Sequence, residues 1–166
     1  TLFPYTTLFR STNVKSNADT TLDKDDVLDV MQLCYDNGGL MEGETRVLMV
    51  GSTQKRAVSE AFVNATDGYR WQDSNVGGVN CQSIETDFGK LNVMLNRHVP
   101  SDEAYVLSLE DLDVCFLEVP GKGHFFVEPL SKTGAADKYQ IYGEIGLKYG
   151  NQRKHGRLHN IGGYSS

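Results

Sequence analysis

The 166-residue chain contains no apolar run long enough to cross a membrane as a helix, a length of about 18 residues or more. It has no block of like charge either: its net charge of −6 is spread along the sequence. That favours solubility and weighs against non-specific nucleic-acid binding as the main task. Cysteine is sparse. Cys34, Cys81 and Cys115 sit far apart with no CxxC pair, which excludes a disulfide framework or a zinc box and fits buried thiols in a reducing compartment. No GxSxG, HExxH or dinucleotide-binding fingerprint occurs, and no internal repeat. The sequon Asn64-Ala65-Thr66 has no signal peptide before it and reads as chance.

What is present is a hydrophobic fraction of 39% in a chain of single-domain length. One stretch stands out. In Lys138 to Tyr149, Tyr139, Ile141, Ile145, Leu147 and Tyr149 share one parity, while Gln140, Tyr142, Glu144 and Lys148 share the other. Such alternation predicts a long strand with one buried face, the spine of a sheet that earlier elements pack against. Gly143 and Gly146 mark a bulge, a bend or a close backbone approach.

The rest of the chain reads as α+β. Thr12 to Thr20 is polar and loose. Asp23, with Asp26 three positions on, caps a helix whose inner face is Val27, Val30, Met31 and Cys34, with Leu22 placed to staple against Val27. Asn37-Gly38-Gly39 ends it. Val47 to Val50 is a buried strand, and Ser52 caps a second helix over 53–63. Asn64 to Gly78 reads as a long exposed loop. Strands follow over Val79 to Phe88, Leu91 to Leu95, Tyr105 to Leu109, Val114 to Val119 and His124 to Val127, with hairpin turns at Gly89-Lys90 and at Pro120 to Gly123. The stretch after the long strand is basic and turn-rich.

Four groupings imitate chemistry. Asp87-Phe88-Gly89 copies the kinase metal-binding triplet without the rest of the kinase set, so a hairpin turn is the better reading. Gly51 to Lys55 joins a strand to a helix, the place for a phosphate, but lacks GxxxxGK[ST]. His155 and His159 are four apart, yet Gly156 and Gly162 argue against a shared helix face, which leaves a surface pair and no metal site. Glu110, Asp111 and Asp113 read as a solvated turn. No cofactor, metal or enzymatic activity is expected.

The order of the motifs carries a resemblance. Ile84 to Lys90 is followed by Leu95-Asn96-Arg97-His98-Val99-Pro100, Leu107-Ser108-Leu109-Glu110, Glu128-Pro129-Leu130, Lys132-Thr133-Gly134, and Gly143-Glu144 with Leu147 beyond. Together, from about Leu22 to Ile161, they resemble the major capsid (head) proteins of tailed bacteriophages, the group similar to the head protein of phage SU-ten. That resemblance implies the Hong Kong 97-like fold, with an N-terminal arm, an extended E-loop, a peripheral domain with a spine helix, and an axial domain. Residues 22–130 would be the axial portion, and 131–161 the return strand and C-terminal part of the peripheral domain, with 162–166 a tail and 12–21 a linker. The arm, E-loop and spine helix are expected to be missing. Residues 1–11, TLFPYTTLFRS, resemble a translated sequencing-adapter read and are set apart from the fold.

The function implied is structural. The chain would be a capsid subunit whose partners are further copies of itself in hexamers and pentamers, with scaffolding or decoration proteins, packaged DNA held only non-specifically, no membrane, and a place in the virion after assembly in the host cytoplasm. Candidate charges at intersubunit contacts are Arg70, Glu85, Asp87, Arg97, Glu144, Arg153, Lys154 and Arg157. Two alternatives remain open: an encapsulin-like nanocompartment shell, and a small α+β enzyme holding a phosphorylated ligand at Gly51 to Lys55.

Overall fold

The computed structural model describes residues 8–9, 11–18, 21–41, 45–63, 71–76, 79–132 and 134–162, with backbone alone for 63, 71–76 and 79–81. The chain forms two compact units, residues 1–109 with 151–166, and residues 110–150. The division falls at Glu110 and Gly150, not at residue 131 as the sequence suggests, because the strands before residue 131 pair with the long strand.

In the first unit, strand β1 (Val14–Ser16) precedes helix α1 (Lys24–Asp36), strand β2 (Thr45–Val50), helix α2 (Ser52–Val63) and strands β3 (Trp71–Val76), β4 (Val79–Thr86), β5 (Gly89–Leu95) and β6 (Glu103–Leu107). The second unit holds β7 (Leu112–Leu117), β8 (Phe125–Leu130) and β9 (Lys138–Tyr149), and the chain then returns to the first with β10 (Gly156–His159). The larger sheet has the order β1-β10-β6-β2-β5-β4-β3.

The capping signal at α1 is realised in full. The Asp23 carboxylate accepts from the Asp26 N–H at 3.0 Å, and the Asp26 carboxylate accepts from the Asp23 N–H at 3.2 Å. Val27, Val30, Met31 and Cys34 of α1 and Ala57, Val58 and Phe62 of α2 join Leu48, Val50, Ile84, Leu91, Val93, Ala104, Val106 and Leu158 in one core. Each such fully buried large side chain contributes about 1.5–3 kcal/mol. Burial also holds the Cys34 thiol up at about 11, so it is an inert core thiol. Val47, Asn92 and Leu107, of the opposite parity, are buried as well, as expected of interior strands.

Several expectations are corrected. Of the stretch expected to be loose, residues 12–18 are not; residues 19–20 lie outside the described residues. Val14–Ser16 pairs in parallel with β10, and buried Asn13 donates to the carbonyls of Arg153 at 2.7 Å and His155 at 3.3 Å. Lys15 and Asn17 both bond the Asp26 carboxylate. Within the opening segment, Phe9 stacks on Tyr105 with ring centroids 5.2 Å apart. The loop expected over Asn64 to Gly78 contains β3, paired with β4; residues 64–70 and 77–78 lie outside the described residues. The β4–β5 turn is Asp87-Phe88, flanked by the pair Thr86 and Gly89. The basic stretch after β9 holds β10, which sits between β1 and β6. Gly39 lies so close to that return that an added Cβ would stand 1.8 Å from the Arg153 carbonyl oxygen.

The largest correction concerns β9. Its bounds match the sequence reading, but it is the central strand of a separate three-stranded sheet, β7-β9-β8. None of the described residues from 110 to 150 is buried. Alternation defined which residues share a face; it carried no information on what covers that face.

Candidate assembly surfaces

The registers of the small sheet build one uncharged surface. Leu112, Val114 and Phe116 of β7 stand opposite Tyr149, Leu147 and Ile145 of β9. Phe125, Val127 and Pro129 of β8 stand opposite Gly143, Ile141 and Tyr139. Side chains alternate along each strand, so all of these lie on one side. Ile141 is 78% exposed and Ile145 60%. Gly143 is needed here: the Phe125 ring lies across it, and a Cβ would come within 2.3 Å of that ring. Phe125 thereby reaches Phe116 edge-on across β9, with centroids 5.9 Å apart. The pairing runs through Gly143 and Gly146 without a bulge.

The other side carries the charged groups of the sheet, together with Cys115, Leu117, Phe126 and Leu130. Asp113 stands opposite Lys148. Lys122 pairs with Glu128 at 2.5 Å and lies 4.6 Å over the Phe126 ring. Gln140 donates to Glu128 at 3.3 Å, Phe126 packs on Tyr142, and Tyr142 donates to Glu144. The hydrogen bond from Lys122 holds the Glu128 carboxyl below its ordinary value, and the bond to Glu144 raises the Tyr142 hydroxyl. The sheet is therefore amphipathic, with its uncharged apolar side exposed.

The candidate charges are scattered across this frame. Arg70 lies outside the described residues. Glu85, Asp87, Arg97 and Arg153 are exposed on the first unit, and Lys154 is half-buried. Glu144 is exposed on the polar side of β9. Arg157 is already engaged within the chain: its Nε donates to Glu103 Oε2 at 3.1 Å and its Nη2 pairs with Oε1. Tyr105 donates to the same carboxylate. Burial pushes the Glu103 carboxyl up, but Arg157 and Tyr105 outweigh it and hold it below its ordinary value. Burial and the Glu103 bond together push the Tyr105 hydroxyl up to about 12.

The groupings that imitate chemistry resolve as follows. A cleft of about 530 Å³ beside the start of α2 is lined by Gly51, Ser52, Thr53, Leu95, Arg97, Val99 and Ser101. Lys55 is not among its lining residues; its Nζ bonds Gln82 on β4 at 3.1 Å. The histidines are not a surface pair. His155 is fully buried and its Nδ1 accepts from the Ser108 N–H at 3.3 Å, while His159 is only half-buried. His155 stands just before β10, as the residue that ends the short 3-10 turn Gln152–Lys154, whereas His159 is the last residue of β10, on the half-buried side shared with Arg157. Among the described residues no group of three His, Cys, Asp or Glu side chains could hold a metal, and no helix is long and apolar enough to cross a membrane.

The family described as SU10 major capsid protein matches residues 3–162. No curated protein sequence matches the chain. Among solved structures, the holo-SrpI encapsulin complex from Synechococcus elongatus PCC 7942 is similar with a TM-score of 0.65 and 11% identity, over 93% of this chain and 55% of that one. A virus-like particle from Pyrococcus furiosus aligns at TM-score 0.47 and 11% identity, over 89% of this chain and 55% of that one. The satellite phage P4 procapsid including size determination (Sid) protein aligns at 0.43 and 15%, over 82% and 39%. At such identities the first of these shows a shared fold of the Hong Kong 97 type and nothing more. The chain spans 55% of the length of that encapsulin chain.

Proposed function

This chain belongs to the SU10 major capsid protein family, and from that we propose that it is part of a major capsid subunit, one that self-assembles through hexamers and pentamers into the icosahedral head enclosing a phage genome. The observation that carries the reading is the family match over nearly the whole chain, residues 3–162. We further propose that the unit of residues 1–109 and 151–166 is the axial domain and that residues 110–150 are the C-terminal share of the peripheral domain. The bare apolar side of β7-β9-β8 would then be the inner side of the peripheral layer, covered by polypeptide outside these 166 residues, the spine helix among it. Self-association would use contacts spread over both units, with Arg70, Glu85, Asp87, Arg97, Glu144, Arg153 and Lys154 as candidate charges. Arg157 has a lesser claim, because Glu103 already holds it. Scaffolding and decoration proteins are further partners under this reading, and assembly takes place in the host cytoplasm.

An encapsulin-like shell is favoured by one observation, the likeness to the encapsulin complex, but that likeness is one of fold. The phosphate-ligand enzyme has less support, since Lys55 is turned to Gln82 and does not line the cleft. Nothing points to catalysis. The test is production of the complete protein in bacteria, followed by cryo-electron microscopy and analysis of the contents. Closed icosahedral shells that package DNA in the presence of the phage machinery are expected. A stable monomer at high concentration would overturn the shell reading, and shells filled with a dedicated cargo protein would favour the nanocompartment.

A further inference from the structure

We draw no further inference here: the strongest candidate, the uncharged side of the three-stranded sheet around Val114, Phe116, Val127, Ile141 and Ile145, is bare apolar surface, and nothing in the structure shows what covers it.

Discussion

Ile141 and Val127 stand directly opposite each other on β9 and β8, on the same side of the sheet, and both are exposed. Ile145 and Phe116 repeat the arrangement between β9 and β7. In this chain the most hydrophobic pairs of the second unit are therefore cross-strand neighbours and not core residues. A cross-strand pair of this kind contributes about 0.2–1 kcal/mol, against roughly 2–5 kcal/mol for truncating a buried aliphatic residue. Ile145→Asp in the 166-residue chain should leave the main denaturant-unfolding transition within about 0.5 kcal/mol of the parent. Leu48→Ala, in the core of the first unit, should lower it by about 2–5 kcal/mol. Equal losses in urea melts would show that Ile145 is buried after all.

The second unit should also be the less protected one. It has no buried residue among those described, and a small sheet with one bare face is marginal by itself. Hydrogen exchange on the 166-residue chain should show the amides of 112–149 exchanging faster, by orders of magnitude, than those of β2, β5 and β6. Comparable protection in both would mean that the sheet draws stability from a source other than its own three strands.

Much of the first unit could be read from the sequence because its signals are local. The Asp23–Asp26 box, the spacing of Val27, Val30, Met31 and Cys34, and the Gly38-Gly39 stop each act within a few residues. The alternation from Lys138 to Tyr149 likewise gave the bounds of β9. Non-local relations were not legible. β1 and β10 have three and four residues, too few for a pattern, and are held by Asn13, Asn17 and Asp26 bonds to distant partners. His155 is buried just before β10, where its Nδ1 accepts from the Ser108 N–H, a partner 47 residues away, which no neighbouring residue announces. Of the candidate surface, the members on β9 could be read; the registers that bring Phe116 and Phe125 together across Gly143 could not.

Asp26 ties α1 to β1. It completes the capping box and accepts from Lys15 at 3.0 Å and Asn17 at 2.9 Å. Asp26→Ala should cost about 2 kcal/mol or more, since a cap and a buried bond are lost together. Lys15→Ala should cost less than half of that, because Lys15 is partly exposed. The local readout is the Asn17 N–H, which donates to the His159 carbonyl at 3.0 Å. Its exchange should accelerate in Asp26→Ala, and an unchanged rate would mean that β1 is held without Asp26.

Arg157 and Glu103 make stability pH-dependent on the acid side. The Glu103 carboxyl lies below its ordinary value. Such a group adds stability above the unfolded-state value of about 4.3 and loses it as pH falls through the lower folded-state value. The parent should therefore weaken as pH drops from about 4.5 towards 3. Arg157→Ala should cost about 1 kcal/mol or more at neutral pH, since the Arg157 side chain is 38% exposed but that of Glu103 only 13%, and show a shallower acid-side decline. Parallel melting curves against pH for the two proteins would remove this pair as the cause.

Under the proposed function, a capsid subunit in which this side is covered should reverse the ranking expected for the 166-residue chain. There, Ile145→Asp places a charge on a side with no charged or hydrogen-bonding partner on β7 or β8. The proposed function has a second layer cover that side, where the carboxylate would be desolvated without compensation, at a cost on the order of several kcal/mol. Glu144→Lys alters the opposite side, where Glu144 accepts from Tyr142, and should leave subunit folding within about 1 kcal/mol of the parent. Ile145→Asp should therefore abolish folded, soluble capsid protein, whereas Glu144→Lys should yield folded subunits with altered assembly yield if the polar side meets a neighbour. Light scattering and electron microscopy of both variants, with circular dichroism to separate misfolding from failed assembly, decide the matter. Shells of normal yield from Ile145→Asp would mean that the apolar side stays bare in the particle, and the two-layer reading of residues 110–150 would fall with it.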